Sequence, residues 1–199
     1  MNAYKTTRNA ILPLALITLM LVMTGCQSAR IGEPLTDTLG GADFEQQMAF
    51  WHELNERPIT SNDEAFHALL LYFDGSATEH TYADRVTELK LRRWLPDDFN
   101  EDADVAVRRG TLAVALAQAL EIEGGVVMRL TGPTPRYATR ELVYLNLFPA
   151  STAQQTFSGA QFVGVIGRVE DYQRRQEHSR QQAEPAPEED MPADVAQSR

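Results

Sequence analysis

The sequence predicts a mainly α-helical fold assembled from three helix–loop–helix units, and three observations carry that expectation. One amphipathic stretch, Val107 to Leu120, places Leu112, Leu116 and Leu120 at helical spacing with Ala113 and Ala117 beside them, so one stripe is apolar. The pattern occurs again upstream, from Thr60 to Leu69, and downstream, from Phe157 to Ile166. Ser61 with Glu64, and Ser158 with Gln161, have the spacing of capping boxes, in which the hydroxyl accepts the N3 amide and the acid or amide returns the bond. The middle unit fills those positions with Arg108 and Thr111. A helix pair buries only one face alone, so the three pairs are expected to stack on one another.

In the first unit Phe44, Met48, Trp51 and Leu54 fall at helical spacing up to the break at Pro58. The second helix opens at Ser61, buries Phe66, Leu69, Leu70 and Phe73, and stops at Asp74-Gly75. The second unit runs from Tyr82 through Val86 and Leu89 to Trp94, breaks at Leu95-Pro96-Asp97-Asp98, and resumes at Val107. Val126 to Leu130 is β-branched and apolar, readable either as a short strand or as a buried helical turn. After the break at Gly132-Pro133, the third unit starts at Tyr137, where Tyr137-Ala138-Thr139-Arg140 echoes Tyr82-Ala83-Asp84-Arg85. The last helix carries Phe162, Val165, Ile166 and Val169.

The chain divides into residues 1–25, an export signal; 26–41, a tether ending in Gly40-Gly41; 42–172, the helical domain; and 173–199, a polar tail in which a fraying helix end gives way to disorder. The net charge of −10 argues against general nucleic-acid affinity. The single cysteine, Cys26, excludes an internal disulfide and any multi-cysteine metal site.

Residues 1–25 combine cations at Lys5 and Arg8, no acid, and an apolar run from Ile11 to Met23 that is too short to span a bilayer comfortably. Leu21-Val22-Met23-Thr24-Gly25-Cys26 resembles the lipobox of bacterial lipoproteins. That resemblance implies cleavage before Cys26, lipid transfer to its sulfur and acylation of the new amine. A thiolate suits the transfer, and several acyl chains anchor stably where one is marginal. Gln27 rather than Asp after the cysteine implies, by the sorting rule of such lipoproteins, the outer membrane with the domain facing the periplasm.

Val107-Arg108-Arg109-Gly110-Thr111-Leu112, with its two counterparts, resembles the motif that opens the second helix in S-layer homology domains. The resemblance covers roughly residues 42–172. It implies three repeats packed as a pseudo-three-fold helical bundle that binds peptidoglycan or another anionic cell-wall glycan, with motif arginines in the ligand grooves. Arg109 keeps that arginine; Asn62 and Gly159 stand in its place in the other units. Arg108, Arg92 and Arg93 are the expected neighbours of an anion site at Arg109, itself at a helix N-terminus where free amides favour an anion. Salt bridging of this basic cluster to Glu88, Asp97, Asp98 and Glu141 is the competing reading.

Other chemistry is weaker. Asp98 to Asp104 has calcium-loop spacing, but Ala103 and Arg109 stand where an EF-hand needs Gly and Glu, which favours a solvated acidic loop without metal. His52-Glu53 lacks the second histidine of a zinc protease, no nucleophile elbow is present, and Gly164 with Gly167 makes no phosphate loop. The expected function is non-catalytic and free of cofactors: a tether or scaffold in the envelope, either glycan-binding or a protein-interaction module on a lipid anchor.

Overall fold

The computed structural model describes residues 28–41, 43–75 and 81–183, and over these the chain is mainly helical with no sheet. The expected signal, Cys26 and residues 184–199 lie outside the described residues. Eight helices are present among the described residues: α1 (Thr36–Leu39), α2 (Phe44–Glu56), α3 (Asn62–Asp74), α4 (Tyr82–Leu91), α5 (Arg109–Ala119), α6 (Val126–Thr131), α7 (Pro135–Tyr144) and α8 (Gly159–Ala183).

Local chemistry sets most of the boundaries. Asp43 caps α2 by accepting the Gln46 amide at 3.0 Å, and Thr81 caps α4 by accepting the Asp84 amide at 3.2 Å. Both capping boxes form. The Ser61 amide donates to Glu64 at 2.9 Å while Ser61 Oγ accepts the Glu64 amide at 3.1 Å, and Ser158 and Gln161 exchange the same two bonds at 3.4 and 3.3 Å. Gly75 ends α3 in the left-handed region at φ 73°. Val126 to Leu130, open between a short strand and a buried helical turn on propensity, is the helical α6, but it is not buried as expected: only Met128 faces inward.

The three long helices α3, α5 and α8 begin at one hub, and their first amides are satisfied in cyclic order. The Asn62 amide donates to Val105 O at 2.8 Å, the Arg109 amide to Gln155 O at 2.7 Å, and the Gly159 amide to Arg57 O at 2.9 Å. Thus the start of α3 leans on the segment before α5, the start of α5 on the segment before α8, and the start of α8 on the end of α2. Two inner bonds tighten the hub, Thr60 N to Phe157 O at 3.0 Å and Val107 N to Thr60 O at 2.9 Å.

Helix packing follows the same cycle. The principal helix contacts are α3 with α4, α5 with α7, and α8 with α2. The second helix of each unit therefore packs on the first helix of the next, where the sequence led us to expect pairing within units. The reason is geometric: the loops cross the hub, so each chain segment leaves its own unit before its apolar face is covered. One core results, running from Leu35 through Phe50, Phe66, Leu89, Leu112, Leu142 and Phe162 to Val169.

The ends of α4 and α7 are superimposable in their hydrogen bonding. Leu89 O accepts the Trp94 and Leu95 amides, Leu142 O accepts the Leu147 and Phe148 amides, and Arg93 and Asn146 both take positive φ. This equivalence matches Leu89 with Leu142, Arg85 with Ala138 and Tyr82 with Pro135. The sequence echo of Tyr82 in Tyr137 is therefore two residues out of register.

Two boundaries differ from expectation. The segment expected to be a free tether is docked from Ala29 onward: Ala29 O accepts the Ala106 amide at 2.8 Å, the Ile31 amide donates to Asp104 O at 2.9 Å, and Leu35 is in the core. The helix end expected to fray within the tail from residue 173 continues as helix to Ala183, beyond the expected domain limit at 172, held by Arg174 to Glu170 at 3.1 Å and Tyr72 Oη to Gln173 at 2.6 Å.

Gly159 opens α8 where a Cβ would run into the Leu54 carbonyl, whereas Gly164 in the same helix has open space around it. Gly159→Ala is expected to cost about 1–3 kcal/mol, because backbone must move to admit the methyl group. Gly164→Ala is expected to gain about 0.5–1 kcal/mol from helix propensity. Urea unfolding of the two variants beside the wild type reads both signs.

Candidate functional site

The four arginines expected to converge on an anion fall in two places. Arg109 opens α5 at the hub, but only 6% of it is exposed. Its Nε donates to Thr156 O at 3.0 Å, a terminal nitrogen donates to Gln161 Oε1 at 2.8 Å, and the guanidinium lies 4.7 Å from the Phe157 ring centroid. Burial pushes its pKa below the ordinary value, yet arginine stays charged in proteins. The fork thus locks unit two to the capping box of unit three; Asn62 makes a shorter reach, its Nδ2 donating to Asp102 O at 3.0 Å, and Gly159 has no side chain to do so.

Arg108 sits beside it and is partly open, with Nε 3.6 Å from Glu101 Oε1. It lines a recess of about 440 Å³ with Ser28, Arg30, Asn100, Glu101 and Asp102. Arg30 there donates to Asp104 at 2.6 Å and Asp102 at 2.8 Å, and these two bonds hold its pKa above the ordinary value. The acidic loop that suggested calcium ligands is thus bound to a cation from the segment after Cys26.

Arg92 and Arg93 lie at the far end of α4. Arg92 takes both oxygens of Asp74 at 2.8 and 2.9 Å and Glu88 at 2.6 Å, with its guanidinium 5.1 Å from the Trp94 ring centroid. That is a bidentate, saturated arginine. Arg93 is exposed and ends α4 at φ 61°.

Sequence reasoning missed the buried charges at the start of α3. Asp63 binds Arg85, whose Nε lies 3.0 Å from Asp63 Oδ1, and accepts the Thr36 hydroxyl. Glu64, in its capping box, also faces Arg57 at 3.4 Å and accepts the Leu35 amide at 3.3 Å. Acids in a helix first turn complement its dipole, and that was the one local signal available. Nothing in the sequence near Arg85 pointed to Asp63.

His67, one turn further along α3, is buried against Phe50 with ring centroids 4.6 Å apart. Neither ring nitrogen has a hydrogen-bond partner in the described structure. Burial, then the nearby Arg85 charge, lowers its pKa to about 4, with Asp63 opposing. A buried neutral imidazole packed edge-on against Phe50 is a packing residue.

A second groove, of about 450 Å³, runs between α6 and α7 and is lined by Gly125, Val126, Val127, Tyr137, Arg140 and Tyr144 among others. No group of carboxylates, histidines and cysteines suited to a metal ion occurs among the described residues. No family model matches this chain, and no curated protein or solved structure matches it.

Two outcomes follow from these environments. Arg109→Ala is expected to lower stability by about 1–3 kcal/mol, seen as a fall in the thermal midpoint, because Thr156 O and Gln161 lose a charged donor in a buried setting. His67 titrates near 6.5 when unfolded and at about 4 when folded, so the unfolded chain takes up the proton first as pH falls. Its contribution is present above pH 6.5 and is lost on the way down to pH 4, on the order of 3 kcal/mol in all. Urea midpoints measured across that window should fall less steeply for His67→Leu than for the wild type.

Proposed function

We propose that this chain is an outer-membrane lipoprotein, acylated on Cys26, whose non-catalytic helical domain tethers the envelope by binding an anionic cell-wall glycan. The observation that carries the reading is the hub. Three equivalent helix starts, satisfied in a closed cycle and followed by helix contacts in the same cycle, are what a three-repeat bundle related to S-layer homology domains requires. The matching ends of α4 and α7 support it from a separate part of the chain.

Arg109 is spent on Gln161 and Thr156, and Arg30 on Asp102 and Asp104, so the glycan carboxylate is assigned to Arg108 in the recess beside the hub. There a guanidinium remains partly open, and Asn100 and Glu101 are at hand for sugar hydroxyls. The non-catalytic reading draws support from the buried acids: Asp63 and Glu64 are already bound by Arg85, Thr36, Ser61 and Arg57. The protein-interaction alternative draws support from α8, whose last turns are exposed and polar.

The test has two arms. Cys26→Ser should move the protein from the membrane pellet to the soluble fraction and abolish fatty-acid labelling; labelling that persists sinks the anchor. Purified sacculi should retain the protein at low salt and release it at high salt, and Arg108→Ala should weaken retention roughly ten- to hundred-fold, as loss of a charge-assisted contact does. Absence of retention by the wild type transfers the function to the protein-interaction reading.

A further inference from the structure

The outward face of α6 is built the wrong way round for a helix that meets only water. Its one buried residue is Met128. Val126, Val127 and Leu130 are spaced i, i+1 and i+4, which puts them on one side of the helix, and that side is open: Val126 is 74% and Leu130 81% exposed. Across the groove α7 presents Tyr137 and Tyr144, the latter 78% exposed. A contiguous apolar surface of this kind on a soluble domain marks a contact site.

The residues around it identify the partner. Arg136 and Arg140, one turn apart on α7, are exposed and make no ion pair among the described residues, and Arg129 stands on α6 beside Glu123. Glu123 pairs with Arg129 and Glu141 also lines the groove, so the unpaired cations are Arg136 and Arg140, and these two beside an aliphatic face run against the chain's net charge of −10. Exposed aliphatics ringed by tyrosine and arginine match a bilayer interface: the aliphatics enter the acyl boundary, the tyrosines sit at headgroup level, and the arginines reach phosphates. No described helix is long and apolar enough to cross a membrane, so the contact is one of lying on the surface.

We infer that α6 and the exposed face of α7 form a second membrane contact that docks on an anionic phospholipid surface. The inference rests on the proposed anchorage of Cys26, which brings the domain to a bilayer, but its chemistry is separate from that of the anchor. A single acylated point leaves the domain free to swivel; a wedge at α6 fixes which face looks at the lipid.

The test removes the anchor from the measurement. The core runs from Leu35 to Val169, so the chain from Gln27 to Arg199 contains all of it and carries no acyl group. This chain should co-sediment with vesicles of phosphatidylethanolamine and phosphatidylglycerol. Leu130→Asp should weaken that binding roughly tenfold or more, and Val126→Asp likewise, since each replaces a buried aliphatic contact with a charge. Arg136→Glu with Arg140→Glu should weaken binding to these vesicles while leaving the weaker binding to pure phosphatidylcholine unchanged, and added salt should mimic the pair. All four side chains are exposed, so circular dichroism of the variants should match the wild type. The inference is overturned if the wild type stays in the supernatant, or if Leu130→Asp binds as well as the wild type. It is also overturned if sedimentation equilibrium shows a dimer that Leu130→Asp dissociates, because the face would then be covered by a second copy. Fatty-acid labelling of the full chain tests the anchor independently, so failure of one leaves the other standing.

Discussion

The structure depends on how three helix starts share carbonyls. The first amides of any helix have no partner inside it, and leaving one buried and unpaired costs about 1–3 kcal/mol. Here Asn62, Arg109 and Gly159 each donate to a carbonyl of another unit, and the donations close into a cycle. No unit can satisfy its own start, so the three are expected to fold together. The same constraint explains the helix contacts. Once α3, α5 and α8 are pinned at their starts, the covering helix for each is the first helix of the following unit, and α8 must close on α2. It also explains why Gly159 is a glycine: the cycle closes at the end of α2, where the chains approach too closely for a side chain.

Equivalent places in the cycle solve one packing problem in different ways. Asp63 and Gly110 occupy the same position in their helices, and Arg85 and Ala138 are matched by the ends of α4 and α7. At one interface a buried ion pair fills the space; at the other, glycine lets α7 close in, with Pro135 and Ala153 at the distance a Cβ would need. Replacing such a pair with apolar groups is often neutral, but removing one partner is costly. The ion pair therefore contributes orientation more than stability. It also fixes the docked N-terminal segment, because Asp63 accepts Thr36 and Glu64 accepts the Leu35 amide.

Much of the helical order was legible because its determinants are local. Ser61 with Glu64 announced a capping box, Gly75 a stop, and the leucines of α5 a buried stripe. Val126 to Leu130 was ambiguous because β-branched residues fit a strand or a buried turn alike, and Met128 alone decides it by packing inward. What was not legible depends on distant partners. Arg109 reads the same whether its fork faces a ligand or Gln161. The acids at 102 and 104 read as solvated until Arg30 is placed on them. Residues 28–41 read as a tether because composition reports flexibility in isolation, and here short backbone pairings with residues 104–106 override it. The Tyr82 echo misled by two residues because tyrosine is conspicuous, whereas the equivalent positions are the buried Leu89 and Leu142.

The docked segment changes what an anchor at Cys26 does. Ala29, the first paired residue, is three residues from Cys26, so no more than about 11 Å of chain would separate a lipid on that cysteine from the body of the domain. A long tether would leave a lipid-anchored domain free to roam; with the proposed lipid on Cys26, this short one would set the hub against the bilayer. The hub is one end of α5, and the chain leaves the other end of that helix to form α6. The proposed anchor and the proposed contact at α6 would together lay the α5 axis along the membrane and remove the swivel that a single point permits. Helix α8 also starts at the hub, and its 25 residues extend roughly 37 Å at the usual helical rise. Its polar last turns are carried well clear of the hub. On the proposed anchorage, lipid contact and the polar end of α8 would be separated by the length of one helix, so both could be engaged at once without competing for the same face.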